Sequence, residues 1–180
     1  MRPTLRDIEL LDTVEALPTR LFNGDVYRLV RDGRDPTACW HPKGRWDDGA
    51  FDVLYTALSE AGALAEVRYH ILSQQPFAPD RLTYRLFRIP ITGLAIVDLS
   101  SWDQLSKLGV DRAVWGRSSY VSRGNEYLRT QEIAAACEFH EKGGILVPSA
   151  RSETSNIVVL TQEAVDQHCG EPEDLGLRKL

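Results

Sequence analysis

The chain has 180 residues, a net charge of −5, 43% apolar residues and 26% charged residues. That length suits about one domain with a single sizeable core, the composition is that of an ordinary globular protein, and the acidic balance argues against a nucleic-acid binder that relies on bulk positive charge. Cys39, Cys137 and Cys169 are odd in number and lack a Cys-x-x-Cys spacing, which argues against a disulfide framework and fits a reducing compartment; with no apolar run of about 18 residues and no apolar signal core at the polar N-terminus, the chain is expected in the cytoplasm.

Thr4-Leu5-Arg6-Asp7 has the form of a capping residue followed three positions on by an acid. Leu5, Ile8, Leu11 and Val14 then recur near the helical period, predicting a helix over about 4–16 that ends before Pro18. Val26 to Val30 reads as a strand with Arg28 on the face of Val26 and Val30, pointing inward or into a cleft. Residues 31–50 form a long loop rich in Gly, Pro and Asp, of a length that is often functional in a compact domain. Phe51 to Ala57 is a strand with Phe51, Val53 and Tyr55 on one face, and Ser59 caps a helix running to about Leu72. Gln74 to Asp80 is a break. Leu82 to Ile91 and Leu94 to Leu99 are expected as two strands, and Ser101 to Leu108 as a short helix stopped by Gly109. Residues 111–123 carry no clear pattern. Asn125 to Lys142 is a second long helix ended by Gly143-Gly144; Ile145 to Pro148 and Ile157 to Leu160 are short buried strands; Thr161 to His168 is a last helical turn. The charged tail from Glu171, over about 171–180, is expected to fray. Strands and helices mix without strict alternation, which predicts an α+β fold.

Gly62, Glu66 and His70 are spaced four apart and share one helix face. A mid-helix glycine costs roughly 1 kcal/mol against alanine; close approach of a ligand beside Glu66 accounts for that cost, and a solvated face with a tolerated glycine is the plainer alternative. Glu66-x3-His70 also has ligand spacing, but two ligands without a third make a poor zinc site, so no metal is expected. Arg28, Arg31, Arg34 and Arg45 fall close together. The guanidinium groups of Arg28 and Arg45 suit the two-point binding of a pyrophosphate, or else pair with Asp32, Asp35, Asp47 or Asp48. Tyr55 is either plain core or a platform for a flat heteroaromatic ring. Ser149 follows a proline in a turn after a buried strand, and Asn156 stands where that turn closes; there is no G-x-S-x-G elbow, P-loop or G-x-G-x-x-G.

Tyr27-Arg28-Leu29, Lys43-Gly44-Arg45-Trp46-Asp47, Val53-Leu54-Tyr55 with Ala65-Glu66, and Leu146-Val147-Pro148-Ser149-Ala150 with Asn156 together resemble, in order and spacing, the RES-domain toxins. That family is named for an arginine, a glutamate and a serine. Two positions depart from its Gly-Gly-Arg-Trp-Asn loop: Lys43 stands for the first glycine and Asp47 for the asparagine. The resemblance covers about 26–160 and implies one RES domain over 1–180, with an ADP-ribosyltransferase-like mixed sheet core and flanking helices. It implies the toxin of a toxin–antitoxin pair, with an Xre-like helix-turn-helix antitoxin as partner and NAD+ as substrate. The nicotinamide–ribose bond is cut, and ADP-ribose passes to a protein target, to water or to phosphate. Under this reading Glu66 holds a ribose hydroxyl and faces the developing cation, Arg28 and Arg45 hold the pyrophosphate, Tyr55 stacks on nicotinamide or orients the ribose, and Trp46 belongs to the binding set. Ser149 bonds the ribose or Glu66, Asn156 completes the binding set, and His70 supports Glu66 from one turn behind. An endoribonuclease using Arg28, Arg45 and His70, and a non-catalytic nucleotide-binding module, are the alternatives.

Overall fold

The computed structural model describes residues 7–74, 83–116 and 123–179. Its backbone is organised by one long antiparallel pair, β1 (Thr19–Arg31) and β3 (Tyr84–Asp98), in register from Thr19 opposite Val97 to Arg31 opposite Tyr84. The sequence pattern breaks at Thr92-Gly93 and predicts two strands there, but a single strand passes through. Between the pairs Phe22–Leu94 and Gly24–Ile91, Asn23 alone faces Thr92 and Gly93. That is a β-bulge, with Gly93 at φ +68° and its N–H donating to Asn23 Oδ1 at 2.9 Å. A bulge interrupts the alternation of side chains without ending the ladder.

Three short strands join them in the sheet: β2 (Leu54–Ala57), β4 (Gly144–Pro148) and β5 (Ser155–Val159). The hydrogen-bonded order runs β1-β2-β5-β4-β3, and β3 pairs back on β1, so five strands close a circuit. The circuit is weakest where β1 meets β2, joined only at Tyr27–Ala57. Strands this apolar are buried on both faces, and two clusters result. Val97, Leu99, Ile145, Val147 and Val158 pack with Ile133, Ala134 and Cys137 of α4 (Arg123–Phe139) and with Leu10 and Val14 of α1 (Ile8–Glu15). Val26, Ile89, Ile91, Ile96 and Ile157 pack with Ala164 and Val165 of α5 (Gln162–His168). A third, smaller cluster sets Leu29, Ala57 and Leu86 against Ala63, Leu64 and Val67 of α2 (Glu60–Gln74). The remaining helix is α3 (Trp102–Lys107), and Gly109 beyond it adopts φ +84°.

Both ends of the chain differ from expectation. The predicted cap at Thr4 lies outside the described residues; Asp7 is the N-cap of α1, accepting from Leu10 N at 3.2 Å. Asp7 also accepts from Arg129 Nη1 of α4 at 3.0 Å. The Arg129 bond, aided by the Leu10 N–H, lowers the Asp7 pKa below the usual 3.8. A depressed carboxylate stabilises the fold above its unfolded value and loses that contribution as pH falls through its folded value. Asp7→Asn, which keeps a capping oxygen, is therefore expected to lower the urea midpoint at pH 7, and the difference from the parent should close in acid, below pH 3.8.

The tail predicted to fray is instead β6 (Glu173–Arg178), antiparallel to the first half of β3. Its charges are what seat it. Arg85 of β3 bonds Asp32 at 2.9 Å and Asp174 at 2.6 Å; Arg88 pairs with Asp25 at 3.6 Å and with Glu173. Each arginine thus stands between a carboxylate of β1 or the residue just after it and one of β6. Exposed pairs of this kind are individually weak, so they select the strand's register rather than supply most of its stability. Among the described residues no helix is long and apolar enough to cross a membrane.

Candidate functional site

A cleft of ≈ 410 Å³ opens beside the single β1–β2 pair. Tyr27, Arg28 and Leu29 of β1 line one side, Tyr55, Thr56 and Ala57 of β2 the other, and Glu66 and His70 of α2, the 42–46 loop, Tyr127, Arg151 and Asn156 complete it. Among the described lining residues the fixed charges are Arg28, Lys43, Arg45 and Arg151 against Glu66 alone. The cleft is therefore cationic in a chain of net charge −5, a field suited to an anionic ligand.

Glu66 is fixed from one side. Its Oε1 accepts from Ser149 Oγ at 2.7 Å and from Asn156 Nδ2 at 3.0 Å. Ser149 Oγ in turn accepts from the N–H groups of Arg151 at 3.0 Å and Ser152 at 3.1 Å. Two donors on the hydroxyl oxygen leave its own proton one direction, toward Glu66. Oε2 accepts no hydrogen bond from any described residue. The three residues come from α2, the β4–β5 turn and β5, and the sequence analysis had named all three.

Gly62, one turn before Glu66, has a different reason from ligand approach. A Cβ there would lie 2.7 Å from Thr154 Oγ1 and 3.2 Å from both Ala57 Cβ and Ser59 Oγ. The glycine lets α2 dock against β2 and the β4–β5 turn, which brings Glu66 within reach of Ser149. Ser59 Oγ accepts from Gly62 N at 3.0 Å, the cap that the sequence predicts.

The 43–47 loop is built around Asp47, which is wholly buried. Its Oδ1 accepts from Lys43 N at 2.8 Å; its Oδ2 accepts from Gly44 N at 2.7 Å and from the Tyr55 hydroxyl at 3.0 Å. Tyr55 also accepts from Trp46 N at 2.9 Å, so its hydroxyl braces the loop while its ring faces the cleft. Burial, with the negative charge of Asp47 beside it, pushes the Tyr55 phenol well above its ordinary pKa. From below, α4 holds the loop by its carbonyls: Thr130 Oγ1 donates to Arg45 O at 2.6 Å and Gln131 Nε2 to Gly44 O at 2.7 Å. A Cβ on Gly44 would sit 2.8 Å from the Tyr55 hydroxyl, which makes this glycine obligatory. Trp46 is almost wholly buried in the core.

Lys43 has φ +54°, the left-handed region in which a side chain costs about 1–2 kcal/mol. A glycine, which stands there in the Gly-Gly-Arg-Trp-Asn loop that this segment resembles, adopts that conformation without strain. Lys43→Gly is expected to raise stability by about 0.5–1 kcal/mol, read as a higher urea midpoint at unchanged slope; a lower midpoint would mean that the lysine stem lying over Gly49 outweighs the backbone strain.

Arg28 does not pair with the local aspartates. Its Nη1 donates to the carbonyls of Pro36 at 2.7 Å and Ala38 at 2.9 Å, tying the long loop to β1, and burial lowers its pKa. The guanidinium of Arg45 lies 4.0 Å from the Trp115 ring centroid and 4.6 Å from that of Tyr127. Sequence reasoning passed over Arg151, whose guanidinium stacks 3.2 Å from the Tyr69 centroid and donates to Gly116 O at 2.8 Å. It also passed over Thr130, Gln131 and Tyr127. No local pattern marks them: Thr130 and Gln131 stand between Arg129 and Glu132 on α4. Among the described residues no group of three or more His, Cys, Asp or Glu side chains is arranged to hold a metal ion.

Together these observations define the class: an α+β protein with a closed strand circuit and a cationic cleft holding one anchored carboxylate. Residues 25–177 match the RES domain, and the chain belongs to that family. The match takes in β6 up to Leu177. The fold is similar to that of a chain in the crystal structure of the M. tuberculosis MbcT–MbcA toxin–antitoxin complex, with a TM-score of 0.75 and 22% identity over 96% of this chain and 94% of that one. No curated protein matches the sequence.

Proposed function

We propose that this protein is the toxin of a toxin–antitoxin pair and that it cleaves the nicotinamide–ribose bond of NAD+. The observation that carries the reading is Glu66, held through Oε1 by Ser149 and Asn156 and the one acid among the described residues of a cleft that also carries Arg28, Lys43, Arg45 and Arg151. Cleaving that bond develops positive charge on the ribose, as in glycoside cleavage. A carboxylate already fixed in place stabilises that charge as it appears, at no cost in reorganisation. The bonding pair leaves with nicotinamide, which departs neutral and needs no acid. An acceptor oxygen then bonds the anomeric carbon and gives its proton to solvent.

Arg28 and Arg45 hold the pyrophosphate, Tyr55 faces the nicotinamide ribose, and Trp46 and Asn156 shape the bound nucleotide's surroundings. Ser149 acts through Glu66. His70 lies one turn past the acid and supports it. The acceptor is a protein side chain, water or phosphate, since all three require the same grip on NAD+. The whole chain acts as one RES domain of ADP-ribosyltransferase-like fold, in the cytoplasm and without a metal, and an Xre-like antitoxin is its partner; the toxin–antitoxin complex of the structural neighbour supports a partner of that kind.

The test is nicotinamide release from NAD+ by the purified protein, with and without phosphate and with a cell lysate, beside Glu66→Ala. Release that depends on Glu66 supports the reading, and a mass gain of one ADP-ribose on a lysate protein would identify a protein acceptor. No release under any of these conditions sinks it.

A further inference from the structure

Residues 111–116 touch both of the cleft cations that were hardest to read from sequence. The Arg45 guanidinium lies 4.0 Å from the Trp115 ring centroid and 4.6 Å from that of Tyr127 of α4. The next residue, Gly116, receives Arg151 Nη1 on its carbonyl at 2.8 Å. Gly116 has φ +69°, and a Cβ there would meet Ala150 O at 3.2 Å and Arg151 Nη1 at 3.4 Å. Only glycine meets both demands without strain. Trp115 is itself held by Trp102 of α3, edge-on at 5.1 Å, and by Trp46, tilted at 6.1 Å.

We propose that Trp115-Gly116 is a strap that sets Arg45 and Arg151 as a pair, so that both guanidinium groups meet a pyrophosphate-bearing ligand already oriented. Trp115 and Gly116 are positioning residues: neither needs to touch the ligand. The physical gain is preorganisation. An arginine carries large rotamer entropy, which would have to be given up at the moment of binding; the ring contacts of Trp115 and Tyr127 hold the Arg45 guanidinium beforehand. The carbonyl of Gly116 does the same for Arg151, whose other face rests on Tyr69.

The inference rests on the cleft being a dinucleotide site, but not on turnover, so it is tested by binding. Calorimetric titration with ADP-ribose compares the parent with Trp115→Leu, Arg45→Lys and the double variant. Trp115→Leu is expected to weaken binding about tenfold, Trp115→Phe to recover most of the loss, and Trp115→Leu to cost little more once Arg45 is replaced. A role confined to packing would make the two penalties additive, and additivity, or Trp115→Leu binding within about twofold of the parent, overturns the proposal. Where Trp115→Leu fails to fold, Gly116→Ala carries the test: a several-fold loss of affinity that disappears in an Arg151→Gln background supports the strap, and a loss of the same size in both backgrounds overturns it. Absence of nicotinamide release would remove the catalytic reading and leave these comparisons standing, whereas a parent that does not bind ADP-ribose removes the strap as well.

Discussion

Glu66→Gln is expected to lower nicotinamide release by about 10²–10³-fold, the usual cost of removing one preorganised charge-stabilising group, while the thermal midpoint stays close to the parent's. The substitution isolates charge from shape. Glutamine keeps an oxygen that can accept from Ser149 and Asn156, so the bonds at 2.7 and 3.0 Å survive, but it brings no negative charge to the ribosyl cation. The loss should fall on kcat more than on KM, because the interaction is strongest in the transition state. Ser149→Ala should give a smaller loss of activity, because the carboxylate remains and only its aim is relaxed. That variant should also be less stable by about 1–3 kcal/mol, since the N–H groups of Arg151 and Ser152 lose their acceptor. A Glu66→Gln protein that keeps more than a tenth of the parent's rate would remove Glu66 from the chemistry.

Asp47→Ala should be the most damaging substitution to the fold around the cleft. Three donors converge on this buried carboxylate: the N–H groups of Lys43 and Gly44 and the Tyr55 hydroxyl. Leaving several buried donors unpaired at once is expected to cost about 3–5 kcal/mol, a large part of the roughly 5–15 kcal/mol that holds a typical domain together. Asp47→Asn is the informative comparison. An asparagine has one acceptor oxygen, whereas Asp47 receives on both, so it should lose about 1–3 kcal/mol. Urea unfolding followed by far-ultraviolet circular dichroism reads both. Because the loop carries Arg45, ADP-ribose affinity should fall in the same order, alanine below asparagine below parent. An Asp47→Ala protein with the parent's urea midpoint would show that the loop is held by its carbonyls on Thr130 and Gln131 rather than by the carboxylate.

The α+β class and most of the helices and short strands were legible because each rests on local rules. Ser59 and Thr161 cap helices by side-chain bonds to the residue three ahead, a pattern read directly from spacing. Glu66, Ser149 and Asn156 were legible as candidates through the family resemblance, which registers the order of short segments. What joins them is tertiary: 83 and 90 residues separate Glu66 from the two side chains that hold it, and no periodicity reports a contact of that range. The tail shows the same limit. Glu171 onward reads as a charged segment, and it becomes a strand by pairing with β3, its register selected by Arg85 and Arg88. Gly62 looked like room for a ligand, yet the space is filled by Thr154 from the β4–β5 turn. Asp47 and Trp115 mark the sharpest division. In sequence one is an acid in an acidic loop and the other an aromatic in an unpatterned stretch. Only the closed circuit of strands, by pressing the loop onto α4, turns the first into a buried anchor and the second into a face for Arg45. Local sequence determined which segments became helix or strand and which residue types were available for chemistry. Long-range packing decided which of them meet, because burial and hydrogen-bond satisfaction are settled only once distant segments share a core.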